Sequence, residues 1–345
     1  MAVDTPPRAE PRLRKAPAGL VWGIVAGFAV LVGLAVCSLI VGSKDVGVLE
    51  ALALVHHDDG TDLAYIVREL RLPRTLLALV IGAALGLAGA LMQSLTRNPL
   101  ADPGLLGVEI GAATAVVVAI SLLGVTAPGG YVWFALAGAA TVAIVVYLLG
   151  SRGRGSTPER MVLAGAAVTA VLGAFVGIVL LIDGQTFDRY RFWIIGSLAG
   201  RGFDVLWQTG PLMVLGAVVA LLLGRSLNAL ALGDETGRAL GVRIERIRLG
   251  GAVAVTLLCG AATAAAGPIG FVGLAVPHVA RLITGPDNRW VLPYSALLGP
   301  VLVLGADVVG RVAAAPGELE VGIVMAFVGA PVFIALARRR RITQL

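Results

Sequence analysis

Two charged residues, Asp307 and Arg311, lie four positions apart inside an apolar run with the sequence VLGADVVGRV. A charged side chain at the centre of a membrane helix costs roughly 2.5–3.5 kcal/mol on insertion scales, so such residues are functional candidates. The i,i+4 spacing allows a local ion pair. The carboxylate could instead relay protons, and the sequence leaves both interpretations open. Three more acidic residues lie nearer the ends of apolar runs, at Glu109, Glu159 and Asp183.

Sequence motifs for hydrolysis, metal binding and nucleophilic catalysis are absent. A P-loop requires Gly-Lys-Ser/Thr, and neither Lys15 nor Lys44 follows a glycine. The sequence contains no HExxH, GxSxG or CxxC. His56 and His57 precede two aspartates and could bind an ion, but a solvated polar loop is the simpler interpretation, and His278 is remote in sequence. We therefore predict no catalytic residues, no metal site and no cofactor.

Apolar residues are spread over the whole chain rather than confined to one segment. Of its 345 residues, 58% are hydrophobic and 14% are charged, with a mean hydropathy of +0.91. Soluble domains carry about 25% charged residues, and a soluble fold of this size could not bury so much apolar surface. The chain has 46 glycines, some at helical spacing such as Gly82 and Gly86, which lets membrane helices approach closely. These features predict an all-α, polytopic membrane protein.

Ten apolar runs are long enough to be membrane helices. We predict spans near residues 19–42, 70–95, 104–124, 131–149, 160–182, 205–224, 249–266, 269–284, 291–313 and 321–337. The sequence GPIGFVG interrupts the helical pattern after residue 266. Residues 1–18 are polar and proline-rich, which predicts a disordered cytoplasmic segment before a single ten-helix transmembrane unit at 19–340.

The lysines and arginines in the connecting loops predict the orientation of the chain in the membrane. With the N-terminus inside, 19 of the 27 basic residues lie on the cytoplasmic side and 8 lie outside. Both termini are therefore predicted to be cytoplasmic. Arg68, Arg71 and Arg74, in the sequence RELRLPRTLL, then lie on the outer side against the positive-inside rule. Their position requires a separate explanation.

Two predicted cytoplasmic loops have distinctive sequences. The loop TRNPLADPGLLG, residues 96–107, contains two helix-breaking prolines, which predict a tight turn. The loop at 226–248 contains two short helical patterns on either side of Gly233. Asp234 and Glu235 follow this glycine, where acidic groups favour a helix start. The second loop is either a solvated connector or a docking surface for a cytoplasmic partner.

Four segments carry a resemblance to a known family. These are RLPRTLLALVIGAALGLAGALMQSLTRNPLADPGLLGVEIGA (71–112), LNALALGDETGRALG (227–241), GPIGFVGLAVPHVARL (267–282) and GELEVGIVMAFVGAPVFIALARRR (317–340). From about residue 20 to 340 the chain resembles the FecCD-type permease subunits of bacterial ABC importers for iron–siderophores, haem and cobalamin. It looks most similar to the ferric-enterobactin permease branch. The resemblance implies the ten-helix permease fold of type II ABC importers.

The resemblance also implies roles for particular residues. Arg71, Arg74 and Arg311 match positions that receive acidic residues of an extracytoplasmic binding protein through exposed ion pairs; membrane-interface arginines are the alternative. A cytoplasmic ATPase dimer would dock on the loop at 226–248, at Leu232, Gly233, Asp234, Glu235 and Gly241. The segment DRYRFWIIGSLAG, 188–200, would form a short outer gating helix with Phe192, Trp193, Gly196 and Ser197; its aromatic residues equally suit an interfacial anchor. Glu109 departs from the small polar or amide residue usual in the family.

The expected function follows from this resemblance. The chain would be the permease subunit of an ATP-driven importer of ferric siderophores in a bacterial cytoplasmic membrane, with haem or cobalamin as the alternative substrate. ATP hydrolysis would come from the separate ATPase, and a second permease, identical or paralogous, would complete the pathway. A proton-coupled secondary transporter using Asp307 and Glu109 is the competing class.

Overall fold

The computed structural model describes residues 17–42, 44, 46–125, 128–151, 158–239, 241–315 and 317–338. All regular structure in these residues is helical. The α-helices are α1 Pro17–Ile40, α2 Val48–His56, α3 Asp62–Tyr65, α4 Leu72–Thr96, α5 Val108–Leu123, α6 Pro128–Ser151, α7 Pro158–Ile182, α8 Gly184–Ile194, α9 Phe203–Leu222, α10 Gly224–Ala231, α11 Asp234–Ala239, α12 Ile244–Ala266, α13 Val272–Thr284, α14 Asn288–Ala313 and α15 Val321–Arg338. The predicted N-terminal segment falls outside the described residues except at its last two positions.

The described residues contain ten apolar helices that match the ten predicted spans. Seven are long and apolar enough to cross a membrane, and α5, α13 and the apolar part of α15 are shorter. The predicted all-α, polytopic architecture is confirmed. The interruption after residue 266 is also present, since α12 ends at Ala266 and α13 begins at Val272.

The second span begins earlier than the apolar pattern predicts. Helix α3, a π-helical turn at Ile66–Arg71 and α4 form one continuous helix, Asp62–Thr96, of 35 residues. The pattern places the start near residue 70 because charged residues interrupt the apolar run there. These residues do not end the helix: the Arg68 guanidinium donates to the carbonyl oxygen of Val55 at 3.2 Å. Pro73, which has no N–H to donate, comes directly after the π-helical turn, where the regular α-helical hydrogen-bond pattern is already interrupted.

Helix α4 lies at the centre of the molecule. Of the 18 residues in the most apolar stretch of Asp62–Thr96, 78% are buried. Glycines allow α14 and α13 to approach it closely. A Cβ atom at Gly82 would lie 2.5 Å from the backbone nitrogen of Pro300, and one at Gly89 would overlap the backbone of Gly273. Such close backbone contact is typical of membrane helices, which gain stability from packing rather than from a hydrophobic driving force.

The peripheral helices present apolar side chains outward. In α1 and in α7, only 11% of the residues in the most apolar 18-residue stretch are buried within the chain. Trp22 of α1 and Leu181 of α7 are among their exposed side chains. A soluble protein rarely exposes so large a continuous apolar surface, whereas lipid or a second membrane subunit covers it without cost.

Candidate functional site

Asp307 binds two arginines from two different helices. Arg74 of α4 donates from Nε and Nη2 to Asp307 Oδ1 at 3.0 and 2.8 Å, and Arg311 of α14 donates to the other carboxylate oxygen. The Asp307 side chain is fully buried. The local Asp307–Arg311 pair predicted from the i,i+4 spacing is confirmed. The second partner, Arg74, was not predicted from the sequence.

Arg311 and a further arginine, Arg71 of the π-helical turn, bind the C-terminal end of α1. Arg71 Nη1 donates to the carbonyl oxygens of Leu39 and Ile40 at 2.8 and 2.9 Å. Arg311 Nη1 donates to the carbonyl oxygen of Ser38 at 2.8 Å. The last carbonyl groups of a helix lack partners within it and carry its negative dipole end, so cations are favourable there. The arginines therefore anchor α1 to α4 and α14.

The three candidate docking arginines are far less exposed than surface ion pairs require. Arg71, Arg74 and Arg311 are 5%, 9% and 5% exposed. The expectation that they form exposed ion pairs is therefore wrong, because the arginines already neutralise Asp307 and cap α1. Their role in docking a binding protein stays a prediction. We call Arg71, Arg74, Arg311 and Asp307 the arginine cluster. A partner would have to contact the small exposed part of its side chains.

That exposed part opens into a cleft of about 440 Å³. Arg71, Arg74, Arg311 and Glu318 line this cleft together with Ala199 and Gly200. We call it the outer cleft because these residues lie on the side that the sequence predicts to face outward. The Glu318 carboxylate accepts a hydrogen bond from Arg74 Nη1 at 2.7 Å. Residues 199–200 end the predicted gating segment, so the cleft lies between the candidate docking arginines and that segment.

The predicted gating residues divide between the surface and a tightly packed junction. Helix α8 exposes Phe192, at 64%, and buries Trp193, at 3%. After α8 the chain turns at Gly196, whose φ of +78° favours glycine. Ser197 N donates to the carbonyl oxygen of Ala266 at 2.7 Å. Gating by this segment stays a prediction.

Three glycines make the junction possible. A Cβ atom on Gly196 would overlap the carbonyl oxygen of Pro268, one on Gly267 that of Trp193, and one on Gly322 that of Ile195. The Gly322 N–H donates to the Gly196 carbonyl oxygen at 3.0 Å. The end of α8, the α12–α13 connection and the start of α15 thus meet backbone to backbone, with no room for a side chain between them.

The predicted coupling loop contains two short helices joined at Gly233. Helix α10 ends at Ala231 and α11 starts at Asp234. Gly233 and Gly241 have φ values of +103° and +78°, which suit glycine at both ends of α11. Leu232 is 62% exposed, and Glu235 is also exposed. These side chains are free to meet a partner.

Asp234 differs from its neighbours because it is bound within the chain. Its carboxylate accepts from Arg97, which follows α4, and from Arg248 of α12 at 2.8 Å. Burial alone would raise the pKa of Asp234, but the hydrogen bonds and charges of the two arginines outweigh it and lower the pKa. Asp234 therefore positions α11 against the membrane helices.

Glu109 lies beside a second carboxylate. The Asp102 carboxylate accepts from the Gly104 N–H at 2.8 Å, and a Cβ atom at Gly104 would lie 3.4 Å from Glu109 Oε2. Burial raises the pKa of Asp102, which the hydrogen bond from Gly104 lowers only in part. No cluster of three or more metal-ligating His, Cys, Asp or Glu side chains occurs among the described residues.

Sequence reasoning missed three residues that complete these sites: Arg97, Arg248 and Glu318. Arg97 has a left-handed backbone conformation, with φ of +51°, which a sequence pattern does not predict for arginine. Glu318 lies in the segment GELEV, which carries part of the family resemblance, but its partner Arg74 lies 244 residues away in the sequence. The sequence does not show such pairs, because the two residues meet only in the folded chain.

Comparison with known proteins agrees with these observations. The FecCD transport family matches residues 30–339. The chain is 47% identical over 308 residues to the ferric enterobactin transport system permease protein FepD of Escherichia coli (strain K12), covering 88% of this chain and 91% of that protein. It is 39% identical to the hemin transport system permease protein HmuU of Yersinia pestis, covering 88% and 92%.

A solved structure described as an inward-facing, metal-chelate type ABC transporter has a similar fold. Its TM-score is 0.82 at 28% sequence identity, covering 92% of this chain and 99% of that one. The family match extends over nearly all ten apolar helices and includes the arginine cluster and the coupling loop. The chain belongs to the FecCD transport family.

Proposed function

We propose that the chain is the permease subunit of an ATP-driven importer that carries ferric siderophores across a bacterial cytoplasmic membrane. The observation that carries this proposal is the 47% identity to the ferric enterobactin permease, against 39% to the hemin permease, at similar coverage. The described helices supply the membrane-spanning part of such a machine. The sequence has no P-loop, so a separate ATPase supplies the energy.

The proposed mechanism is a two-state conduit formed with a second permease subunit, identical or paralogous. The binding protein delivers substrate at the outer cleft, and a cytoplasmic ATPase dimer binds at α10 and α11. The 19 basic residues assigned to the inner side against 8 outside support cytoplasmic termini. ATP binding and hydrolysis bias the two states, and the junction at Gly196 opens or closes the pathway.

The arginine cluster is the proposed docking site for acidic side chains of the binding protein. Burial limits access to the side that faces the outer cleft. A carboxylate that enters the cleft would interact with guanidinium groups already fixed by Asp307 and by the end of α1. Fixed donors lose little conformational freedom on binding, and the planar guanidinium can bind a carboxylate through two parallel hydrogen bonds.

Uptake measurements test the substrate and the energy source together. In a bacterial strain lacking its own permease, the chain, supplied with its second permease subunit, its ATPase and its binding protein, should restore accumulation of radiolabelled ferric enterobactin, used as the probe siderophore. Uptake should continue after the proton gradient is collapsed and should cease with a hydrolysis-deficient ATPase. Uptake of haem or cobalamin, but not of ferric siderophores, would replace the substrate assignment. Loss of uptake with the proton gradient would favour a secondary transporter.

The arginine contacts of Asp307 argue against that secondary transporter. A proton-relay carboxylate must release its proton and take it up again in each cycle. Both carboxylate oxygens of Asp307 accept hydrogen bonds from arginines, Oδ1 from Arg74 and Oδ2 from Arg311, so both oxygens already have partners within the chain. Structural pairing therefore explains this residue better than proton transfer.

Replacing Gly233 by proline should uncouple ATP hydrolysis from transport. Proline requires φ near −65°, whereas Gly233 has φ of +103°, so α11 would change its direction. Reversing the exposed charge at Glu235 should weaken the contact directly. We expect stimulated ATP hydrolysis by the reconstituted complex to fall about five- to tenfold, a typical size for coupling between sites.

The matched control is Glu159→Lys, which reverses an exposed charge at the start of α7. It should leave stimulated hydrolysis near the wild-type rate. All three variants should reach the membrane in normal amounts. If both loop variants hydrolyse ATP at the stimulated wild-type rate, α10 and α11 do not contact the ATPase.

A further inference from the structure

Glu318 connects the arginine cluster to the gating junction through a short piece of chain. We call residues 317–322 the outer strap. At one end, Glu318 accepts the hydrogen bond from Arg74 Nη1. In the middle, Leu319 N donates to the Gly310 carbonyl oxygen at 3.0 Å. At the other end, the Gly322 N–H donates to the carbonyl oxygen of Gly196. Only three residues, 319–321, therefore separate the contact with Arg74 from the contact with Gly196.

The two acidic partners of Arg74 differ in how easily they could be displaced. The Asp307 side chain is 1% exposed and accepts from two arginines, whereas the Glu318 side chain is 39% exposed and has a single arginine partner. An exposed ion pair is worth little, while breaking a buried pair is costly. An incoming carboxylate would therefore displace Glu318 and leave Asp307 in place.

The charge of the cluster favours such an exchange. Arg71, Arg74 and Arg311 carry three positive charges, and Asp307 and Glu318 carry two negative charges. The cluster thus keeps a net positive charge beside the outer cleft. A carboxylate from outside is attracted to it but finds Arg74 Nη1 already occupied by Glu318.

We propose that Glu318 is a positioning residue that holds the place of the binding protein's carboxylate on Arg74 until docking occurs. Docking replaces Glu318, releases the outer strap and loosens its contact with Gly196 at the gate. This inference rests on the proposed function, because it assigns to the docking site a means of reporting occupancy to the gate. The partner it requires is an acidic side chain on the extracytoplasmic binding protein.

A first test measures the charge of the cleft without any binding protein. Ala199 lines the cleft and can be replaced by cysteine in a Cys37→Ser background, since Cys259 is fully buried. The complex with its ATPase is reacted with an anionic and a cationic methanethiosulfonate reagent. Glu318→Gln should raise the anionic-to-cationic rate ratio about two- to fivefold. Glu320→Gln, in the same strap but without a hydrogen bond to the cluster, should change it less.

A second test measures docking and gating in the reconstituted complex. With Glu318→Gln, the binding-protein concentration that half-maximally stimulates ATP hydrolysis should fall about two- to fivefold, because the competing carboxylate is gone. Hydrolysis without the binding protein should rise, because the strap is released. An unchanged or higher half-maximal concentration, or an unchanged labelling ratio, overturns the role given to Glu318.

The outcomes separate this inference from the proposed function. If a binding protein loaded with ferric enterobactin does not stimulate the wild-type complex, the proposed function fails, and the labelling ratio still decides whether Glu318 neutralises the cleft. If the wild type is stimulated and Glu318→Gln behaves identically, only the placeholder role fails.

Discussion

Replacing Asp307 by asparagine is expected to destabilise the folded protein by about 3–5 kcal/mol, the usual cost of removing one partner from a buried ion pair. Asp307 is fully buried, and its carboxylate is shared by Arg74 and Arg311. Asparagine keeps the shape of the side chain but leaves the buried Arg311 without its carboxylate partner and leaves Arg74 with Glu318 alone. The effect is measured as a lower thermal unfolding temperature of the purified complex and as reduced accumulation in the membrane.

Asp188→Asn is the matched control for this substitution. Asp188 makes an i,i+3 pair with Arg191 at 3.4 Å on the exposed surface of α8, with the two side chains 66% and 51% exposed. Exposed pairs contribute roughly 0–1 kcal/mol, so the same chemical change should have a small effect there. Equal stabilities for Asp307→Asn and Asp188→Asn would show that the arginine cluster does not hold the helices together.

Replacing Gly82 by alanine is the second large change, and we expect it to destabilise the protein by about 1–3 kcal/mol or more. The added Cβ atom would lie 2.5 Å from the backbone nitrogen of Pro300, so α4 and α14 would have to separate. A flexible side chain could move aside at low cost, but the backbone of a packed helix cannot. Thermal unfolding of the purified protein measures the loss.

Gly33→Ala provides a control with the opposite expected sign. Gly33 lies within α1, and no atom of the described residues lies within 4 Å of a Cβ built there. Alanine in a helix interior is favoured over glycine by about 1 kcal/mol, so this variant should be neutral or slightly stabilised. Destabilisation of both variants to the same extent would mean that the Gly82 contact is not what limits stability.

Local sequence patterns predicted the elements of the fold. The number of apolar helices follows from hydropathy, because burial in lipid depends on a continuous stretch of neighbouring residues. The break before Val272 and the turn at Gly233 follow from glycine and proline, whose backbone preferences act within one or two residues. The Asp307–Arg311 pair was predictable for the same reason, since i,i+4 neighbours meet on any helix.

The same patterns gave wrong predictions for features that depend on which hydrogen-bond or ion-pair partners a charged side chain finds in the fold. The run of charges between Ile66 and Arg71 suggested that the second span begins near residue 70, yet the helix starts at Asp62. Arg71, expected to be exposed, is buried against the end of α1. Whether a charge is exposed depends on which acceptors the fold brings to it, and these acceptors are distant in sequence.

The sequence by itself therefore determined the membrane class of this protein, its helices and the candidate residues of each site. Only the tertiary structure decided how those residues act. Arg74 meets Asp307 across 233 residues, and Arg97 meets Asp234 across 137. The outer strap joins Glu318 to Gly196 because α14 packs against α4 and the start of α15 meets the chain just after α8. The physical reason is range: backbone preference and hydropathy are local, whereas ion pairing and backbone contact between helices require partners that only folding brings together.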